Sequence, residues 1–400
     1  MKQPQFDCVV IGGGPSGATA ATDLARGGHH VLLLDRAGRI KPCGGAIPPR
    51  AIEDFAIPDH LLVGKATLAR MIAPSAKTVD MPVSADGKGG YVGLVDREHF
   101  DEWLRARAAL AGAERRTGIF ERIDRDADGT AMVVYREGRG GPEQRISARS
   151  VIGADGARSG VARAELKGAD KVPCVFAYHE IVASPPEGSS ADFDRARCDV
   201  FYQGKHSPDF YAWVFPHGDQ ASIGVGSANK GFDLREAVAA VRAQTGLDAC
   251  DTIRREGAPI PLKPLKRWDN GRDVVVAGDA AGVVAPASGE GIYYAMVGGR
   301  LAADAVTHFL ATGKASALKR ARKRFMRDHG RVFWILGIMQ YFWYSSDKRR
   351  ERFVKICEDP DVQRLTWDAY MNKRLVRSKP VAHLRIFLKD MRHLLGLAEA

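Results

Sequence analysis

Three glycines near the N-terminus have the spacing of a phosphate-binding loop. Gly12, Gly14 and Gly17 follow the apolar segment FDCVVI at 6–11 and open a helix predicted over 15–27. In such a turn the first glycine permits the tight bend, the second lets the backbone approach a pyrophosphate, and the third lets the helix pack closely on the strand. The start of the helix adds free N–H groups and a partial positive charge. The pattern therefore predicts a dinucleotide site, although an ordinary glycine turn would share its spacing.

A carboxylate ends the second predicted strand. Asp35 closes the segment HVLLLD at 30–35, 18 residues after Gly17, and Arg36 follows it. At this place in a strand–helix–strand unit, an aspartate accepts hydrogen bonds from ribose hydroxyl groups. Because its negative charge would repel a 2′-phosphate, the site favours FAD or NAD over NADP.

Two later segments distinguish between these cofactors. GADGARS at 153–159 follows the strand-like SVI, and AGDAAG at 277–282 follows DVVV. Each segment alone is typical of a surface turn. Together they resemble the "DG" and "GD" motifs of a large flavoprotein family that includes aromatic hydroxylases, halogenases and geranylgeranyl reductases. The resemblance implies that the cofactor is FAD.

The same resemblance implies roles for individual residues. In that family the second aspartate, here Asp279, contacts the ribityl chain, and an arginine, here Arg97, lies against the flavin's phosphate or ribityl region. The predicted cofactor-binding residues are Gly12, Gly14, Pro15, Gly17, Asp35, Arg36, Cys43, Gly44, Gly45, Arg97, Asp155, Gly156, Asp279, Gly289, Gly291 and Ile292. The sequence has no second GxGxxG fingerprint, so the resemblance implies that NADPH binds only transiently.

Two further segments resemble one branch of this flavoprotein family. Pro208-Asp-Phe-Tyr-Ala-Trp-Val-Phe-Pro216 resembles the P-x-x-Y-x-W-x-F-P signature of geranylgeranyl reductases, and Lys41-Pro-Cys-Gly-Gly45 resembles their P-C-G-G loop. The likeness is greatest to the branch that serves chlorophyll and bacteriochlorophyll synthesis. It implies reduction of three of the four double bonds of a geranylgeranyl group, on the pigment or as the free diphosphate, to give phytyl.

Other functions remain open at this point. One is a flavin-dependent monooxygenase acting on an apolar substrate, although halogenases of the same superfamily carry W-x-W-x-I-P in place of the signature above. A second is a reductase of lipid or quinone isoprenoid chains. A third is an assembly factor that binds flavin and pigment.

The aromatic residues of the signature suggest a substrate surface. On a strand, Tyr211, Trp213 and Phe215 alternate and therefore point to one face, where they would form an apolar wall. Burial in an ordinary core is the alternative. Protonation of an isolated alkene builds positive charge that aromatic faces stabilise. We therefore expect these three residues and Pro216 to contact an isoprenoid substrate.

Reduction of such an alkene also requires a proton donor. The candidates are Cys43, Tyr211 and His217, of which His217 could equally be a solvent-side residue at the end of a strand. Cys43 could equally be a small filler within its glycine loop. The predicted catalytic residues are Cys43, Tyr211 and Trp213.

The pattern of strands and helices predicts an α/β fold. Its expected parts are a discontinuous, Rossmann-like FAD-binding domain of the aromatic-hydroxylase type, an inserted antiparallel-sheet substrate domain and a basic helical C-terminal region. The first comprises 1–75, 94–165 and 266–314, the second 76–93 and 166–265, and the third 315–400. Helices are predicted over 97–113 and 290–310, and segment 36–60 reads as loop because of its prolines and glycines.

Charge is concentrated at one end of the chain. From Lys314 onward there are 21 Lys and Arg against 9 Asp and Glu, whereas the preceding 313 residues carry a net charge of −1. This region contains KRARKRFMRDHGR at 319–331, the apolar run VFWILGIM at 332–339, KRRER at 348–352 and an amphipathic pattern at 383–397. A basic amphipathic helix can lie on an anionic membrane, and a terminal helix packed on its own domain is the alternative. The apolar run is too short to cross a bilayer.

The remaining features favour a cytoplasmic enzyme. The six cysteines are scattered without a C-x-x-C pair, which argues against a disulfide scaffold and against a metal site. The N-terminus runs directly into a strand without the apolar region of a signal peptide. We expect a cytoplasmic protein that associates peripherally with the inner, photosynthetic membrane and binds no nucleic acid.

Overall fold

The computed structural model describes residues 5–38, 40–83, 90–186, 188, 192–371 and 373. The strands are β1 (Phe6–Ile11), β2 (Val31–Asp35), β3 (Ala46–Ile47), β4 (Leu62–Ala66), β5 (Leu68–Ile72), β6 (Thr78–Pro82), β7 (Val92–Val95), β8 (Glu114–Thr117), β9 (Ile119–Arg125), β10 (Ala131–Arg136), β11 (Glu143–Gly153), β12 (Cys174–Ala183), β13 (Arg197–Phe201), β14 (Ala212–His217), β15 (Gln220–Ser227), β16 (Thr252–Pro261) and β17 (Val274–Val276).

The helices are α1 (Pro15–Arg26), α2 (Pro49–Phe55), α3 (Arg97–Leu110), α4 (Gly160–Glu165), α5 (Leu234–Gln244), α6 (Ile292–Thr312), α7 (Lys319–Trp343), α8 (Asp347–Ile356) and α9 (Pro360–Met371). Short 3-10 helices span Asp59–Leu61, Ala169–Lys171, Gly278–Ala281 and Ala315–Leu318. None of these helices is both long enough and apolar enough to cross a bilayer, a finding that covers the described residues only.

The chain forms two compact units. The first contains the N-terminal segment to Cys43 together with Arg97–Val175 and Ala258–Gly337. The second contains Gly44–Asp96, Phe176–Gly257 and the chain from Ile338 onward.

The first unit is built on a mainly parallel sheet. Strands β8, β2, β1 and β11 lie side by side in that order, and β17 pairs in parallel with the end of β11. The other half of β11 continues into an antiparallel extension with β10 and β9. Strand β1 is almost fully buried because it has a neighbour on both sides and helices against the sheet, which explains its continuous apolar sequence.

Helices α1 and α6 pack closely in the first unit because a glycine lies at their contact. A Cβ placed on Gly299 would lie 2.1 Å from the carbonyl oxygen of Ser16. The obstructing atom is backbone, so it cannot rotate away. This contact fixes the start of α1 against the middle of α6.

The second unit contains a seven-stranded sheet in the order β16, β12, β15, β14, β13, β5, β6. Its strands are antiparallel where β12, β15, β14 and β13 meet, and β5 pairs in parallel with β13. Helix α5 covers one face, where Val214, Ile223 and Val225 pack with Val238 and Val241 in a buried apolar cluster. Strands β3, β7 and β4 form a separate small sheet.

The structure confirms most of the predicted elements. A mixed α/β fold with a parallel and a largely antiparallel sheet is present, and the predicted helices at 97–113 and 290–310 correspond to α3 and α6. The prediction of a loop over 36–60 was wrong in part, because α2 begins at Pro49 with Pro48 as its N-cap. Proline is well tolerated in the first turn of a helix, so these residues start α2 rather than prevent it.

The two observed units divide the chain differently from the three parts expected from the sequence. Segment 44–75, expected with the FAD-binding domain, clusters with the second unit, since β5 within it pairs with β13. The C-terminal region is helical through α7, α8 and α9 and contributes to both units. The amphipathic pattern at 383–397 lies outside the described residues.

We predict that Gly299→Ala lowers the free energy of unfolding by about 1–3 kcal/mol, because the new methyl group meets the Ser16 carbonyl. Gly337→Ala in α7 is the matched control, since no atom lies within 4 Å of its added Cβ. It should stabilise the protein by about 0.5–1 kcal/mol through helix propensity. Urea unfolding followed by circular dichroism measures both, and equal midpoints for Gly299→Ala and the wild type would contradict the prediction.

Candidate active site

The three glycines of the N-terminal turn differ in what surrounds them. A Cβ on Gly17 would lie 1.8 Å from the carbonyl oxygen of Gly12, and one on Gly12 would lie 2.3 Å from the carbonyl oxygen of Ala154. A Cβ on Gly14 would meet no atom within 4 Å. Gly12 and Gly17 are therefore needed for packing, whereas Gly14 borders open space.

The start of α1 offers hydrogen-bond donors at the same place. Gly14 is the N-cap of α1 and Pro15 its first residue, and no side chain caps the helix. Uncapped N–H groups and the helix dipole suit a negatively charged group, and the space beside Gly14 admits it. These residues therefore fit the pyrophosphate of FAD.

Asp35 lies at the end of β2 beside an open cleft. The cleft has a volume of about 660 Å³ and is lined by Asp35, Arg36 and Arg105 among others. Arg105 Nη1 lies 3.4 Å from Asp35 Oδ2. Burial raises the pKa of Asp35, and hydrogen bonding to the Gly13 backbone and the charge of Arg105 oppose that rise in part. The carboxylate and cleft are placed to receive the ribose end of a dinucleotide.

The carboxylate of Asp155 is occupied within its own turn. It accepts hydrogen bonds from the Ser159 hydroxyl and from the backbone N–H groups of Gly160, at 2.6 Å, and Val161, at 3.2 Å. Its pKa is nevertheless raised, because burial outweighs these bonds. Asp155 thus holds the start of α4. Gly156 in the same turn has a φ of +88°, a region that favours glycine.

Asp279 lies near the start of α6. Its Oδ2 forms an ion pair of 2.7 Å with Lys41 Nζ. Gly291 is the N-cap of α6, which begins at Ile292, and a Cβ on Gly291 would lie 3.8 Å from Asp279 Oδ1. Gly289 has a φ of +64° in the preceding turn. The start of α6 therefore lies beside this carboxylate, and the Glu290 side chain accepts the Tyr293 N–H in its first turn at 2.9 Å.

Arg97 is buried at the start of α3. Its guanidinium donates two hydrogen bonds to Asp101, at 2.9 and 2.8 Å. Burial alone would lower the pKa of Arg97, but Asp101 and a hydrogen bond with Cys43 raise it above its usual value. Arg97 is therefore a fixed cation within the first unit, and its contact orients the Cys43 side chain.

In the second unit Tyr211, Trp213 and Phe215 lie close together, and Tyr211 and Trp213 are buried within the protein. The ring centroids of Tyr211 and Trp213 are 6.0 Å apart, and those of Trp213 and Phe215 are 6.2 Å apart. The intervening Ala212 and Val214 belong to the apolar cluster beneath α5. Because side chains alternate along a strand, the three aromatic rings lie on the face of β14 opposite that cluster.

The glycine loop packs on this wall. A Cβ on Gly44 would lie 3.1 Å from Phe215 and 3.4 Å from Trp213 Nε1, and one on Gly45 would lie 2.5 Å from the His217 ring. His217 Nε2 lies 3.0 Å from the Gly44 carbonyl oxygen. Burial lowers the pKa of His217 to about 4, so the ring is neutral near pH 7 and donates this bond. The structure thus joins the two signature segments that the sequence separates by more than 160 residues.

Sequence reasoning missed two charged residues of the first unit. Lys41 and Arg105 pair with the predicted site residues Asp279 and Asp35. Arg105 lies two helical turns after Arg97 in α3, so helical spacing could have indicated it. Lys41 opens the segment that resembles the P-C-G-G loop, but the sequence did not indicate its pairing with Asp279, since 238 residues separate the two.

Comparisons with known proteins agree with this arrangement. A family model described as an FAD binding domain matches residues 5–325. The geranylgeranyl diphosphate reductase of Rhodobacter capsulatus is 57% identical over 393 residues, which cover 98% of each chain. The enzyme of the same name from a Synechocystis species is 34% identical and covers 96% of this chain and 97% of its own.

A solved structure supports the fold. The crystal structure of a geranylgeranyl bacteriochlorophyll reductase-like protein from Thermoplasma acidophilum superposes with a TM-score of 0.80 at 22% identity. It covers 94% of this chain and 99% of its own. The predicted Rossmann-like FAD-binding fold of the aromatic-hydroxylase type, with its second sheet and helical C-terminal region, is confirmed.

The glycine geometry predicts that two similar substitutions act differently. Gly14→Ala should leave the stability of the cofactor-free protein unchanged, because its Cβ enters open space, but should weaken FAD binding at least about tenfold by blocking the pyrophosphate. Gly17→Ala should lose both stability and FAD. Thermal unfolding of the cofactor-free protein and FAD titration separate the two effects. Wild-type FAD affinity in Gly14→Ala would exclude the proposed position of the pyrophosphate.

Proposed function

The chain belongs to the FAD-dependent geranylgeranyl reductase family, and we propose that it uses NADPH to convert a geranylgeranyl group to phytyl by reducing three double bonds. The group is carried on bacteriochlorophyll or chlorophyll, or is the free diphosphate. The observation that carries this proposal is the packing of Gly44 on Trp213 and Phe215 within the second unit, which brings the glycines of one family signature against the aromatic residues of the other.

The first unit supplies the cofactor site of this proposal. Bound FAD supplies hydride transfer at its isoalloxazine ring. The residues around it act by position and charge: Gly14 admits the pyrophosphate, the start of α1 offers N–H groups, and Asp279 with its partner Lys41 presents a carboxylate for hydroxyl groups. Asp35 receives the ribose.

The second unit supplies the surface for the isoprenoid. Tyr211, Trp213 and Phe215 present a row of rings to an apolar, branched chain and exclude water from it. Protonation of an isolated alkene develops positive charge, and each ring face lowers the energy of such a charge by about 0.5–2 kcal/mol where water is excluded. Pro216 follows the row, but by the same alternation it lies on the opposite face of β14, with Ala212 and Val214. Trp213, the central ring, has the largest share of this role.

The proton donor is one of two residues. His217 is neutral near pH 7 and its Nε2 proton is engaged by the Gly44 carbonyl, so its role is to hold the loop. Cys43, oriented by Arg97, and Tyr211, next to Trp213 in the wall, are the candidates that remain. Cys43→Ala and Tyr211→Phe remove each donor separately.

The test is a single-turnover reduction under anaerobic conditions. Purified protein with FAD is mixed with NADPH or NADH, and mass spectrometry follows geranylgeranylated bacteriochlorophyll, geranylgeranyl diphosphate and a geranylgeranyl glycerolipid. We expect NADPH-dependent reduction of flavin and stepwise gain of hydrogen pairs on the first or second substrate. Trp213→Leu should slow the gain about tenfold or more while flavin reduction continues.

Three results would contradict the proposal. Oxygen-dependent hydroxylation of the substrate would indicate a monooxygenase. Turnover confined to the glycerolipid would reassign the substrate. Absence of flavin reduction by either nicotinamide would favour a binding protein over an enzyme.

The proposal includes peripheral association with an anionic membrane, at the cytoplasmic face of the inner photosynthetic membrane. Helix α7 supports this with a row of exposed residues at helical spacing, basic in its first half and apolar in its second: Arg320, Lys323, Arg327, Arg331, Trp334, Ile338 and Tyr341. Trp334 is 68% exposed and Tyr341 85% exposed, so this part of the apolar run does not form core. Such a pattern suits headgroup contact by the cations and interfacial burial of the rings.

Vesicle flotation tests the association. Vesicles with anionic lipid should bind the protein at low salt and less at high salt, whereas zwitterionic vesicles should bind it weakly. Trp334→Ser combined with Tyr341→Ser should reduce binding about tenfold. Ile253→Ser, which removes a 53% exposed apolar residue from β16, is the control and should bind normally. Equal loss in the control, or no binding at any salt, would refute a role for α7.

A further inference from the structure

A row of polar side chains lies beside the aromatic wall, on the same face of the sheet, and crosses four neighbouring strands. Trp213 on β14 donates its indole Nε1–H to Ser222 Oγ on β15 at 3.2 Å. Ser222 Oγ lies 3.2 Å from His179 Nδ1 on β12. His179 Nε2 lies 3.1 Å from Glu256 Oε2 on β16, and Arg254 Nε lies 2.7 Å from the other oxygen of that carboxylate.

The strand register explains why these side chains meet. Trp213 and His179 both lie opposite Gly224 of β15, on either side of it. A Cβ on Gly224 would lie 2.1 Å from the Trp213 ring, so the indole rests directly over this glycine. Ser222 is two residues from Gly224 and therefore points to the same face. The opposite face, with Ile223, belongs to the apolar cluster.

These hydrogen bonds lie in the protein interior, and the chemistry of their end groups fixes which atoms donate. His179 is 2% exposed and Ser222 is fully buried. An indole nitrogen only donates and a carboxylate only accepts. Ser222 Oγ therefore accepts the indole proton of Trp213, and its own hydroxyl proton is left for His179 Nδ1. The contact of His179 Nε2 with Glu256 is close but lacks the alignment of a hydrogen bond, and the Glu256 carboxylate also forms an ion pair with Arg254.

We propose that Ser222 and His179 are positioning residues that hold the Trp213 indole in one orientation and thereby set the shape of the isoprenoid surface. This rests on the proposed function for its consequence, though not for the hydrogen bonds themselves. The apolar area of a long isoprenoid substrate dominates its binding, whereas the orientation of the Trp213 ring decides how the reacting alkene is aligned. Loss of the hydrogen bonds from Trp213 to Ser222 and from Ser222 to His179 should therefore reduce kcat more than it raises KM.

The first experiment observes the indole directly in the FAD-loaded protein. The chain has six tryptophans, so the Trp213 N–H resonance is identified by its loss in Trp213→Phe. In Ser222→Ala and His179→Phe this N–H should exchange with solvent about five- to tenfold faster than in the wild type. Ser222→Thr keeps the hydroxyl group and should retain slow exchange.

The second experiment measures turnover of the geranylgeranyl substrate. Ser222→Ala and His179→Phe should lower kcat about five- to tenfold with KM within about twofold, and partly reduced chains should accumulate. Tyr178→Phe is the control, because Tyr178 neighbours His179 on β12, packs on the apolar cluster and hydrogen-bonds Glu180. It should match the wild type.

The outcomes separate the two proposals. Unchanged indole exchange in both variants, or a loss of thermal stability with unchanged kcat, would overturn the positioning role. Equal loss of kcat in Tyr178→Phe would overturn it as well. A wild-type protein that reduces no geranylgeranyl substrate would overturn the proposed function, while the indole resonance would still decide whether Ser222 and His179 hold Trp213.

Discussion

Backbone contact at Gly12 is the constraint on which the first unit depends. The carbonyl of Gly12 lies where Gly17 would carry a side chain, and the space beside Gly12 itself is filled by the backbone of Ala154. Strand β1, helix α1 and the turn after β11 therefore meet through main-chain atoms, which cannot rotate aside. Their geometry is set before any cofactor binds. Preorganisation of this kind reduces the ordering cost of binding a flexible dinucleotide.

Glycine has a different use in the second unit, where it makes room for aromatic rings. Gly224 lies under the Trp213 indole, and Gly44 packs against Phe215 and Trp213. In the first unit, open space remains at Gly14 and is available to a ligand. In the second, the space is already filled by the protein's own side chains. The same residue type thus prepares one unit for a charged cofactor and gives the other a fixed apolar surface.

The sequence predicted what is determined locally. The spacing of Gly12, Gly14 and Gly17 encodes a turn, and alternation along β14 places three rings on one face, so both could be deduced from neighbouring residues. The pairing of Lys41 with Asp279 and the chain from Trp213 to Glu256 depend on strand order and register, which short-range spacing does not contain. Asp155 shows that recognising a motif does not reveal every contact its side chain makes. Its motif was recognised, yet the sequence did not indicate that the carboxylate binds the first backbone N–H groups of α4.

The position of tryptophan within the wall follows from what each ring can offer. Positive charge is stabilised by the face of an aromatic ring and not by its edge, so the wall is useful only if its rings keep their orientation. Phenylalanine has no polar atom by which it can be held, whereas an indole can donate a hydrogen bond from its edge while its face stays apolar. Trp213 is the central ring and contacts both Tyr211 and Phe215. In our proposal a hydrogen bond at this one ring helps to fix the row, which gives a reason for the buried Ser222 and His179, polar groups that are costly to place in a protein interior, beside an apolar surface.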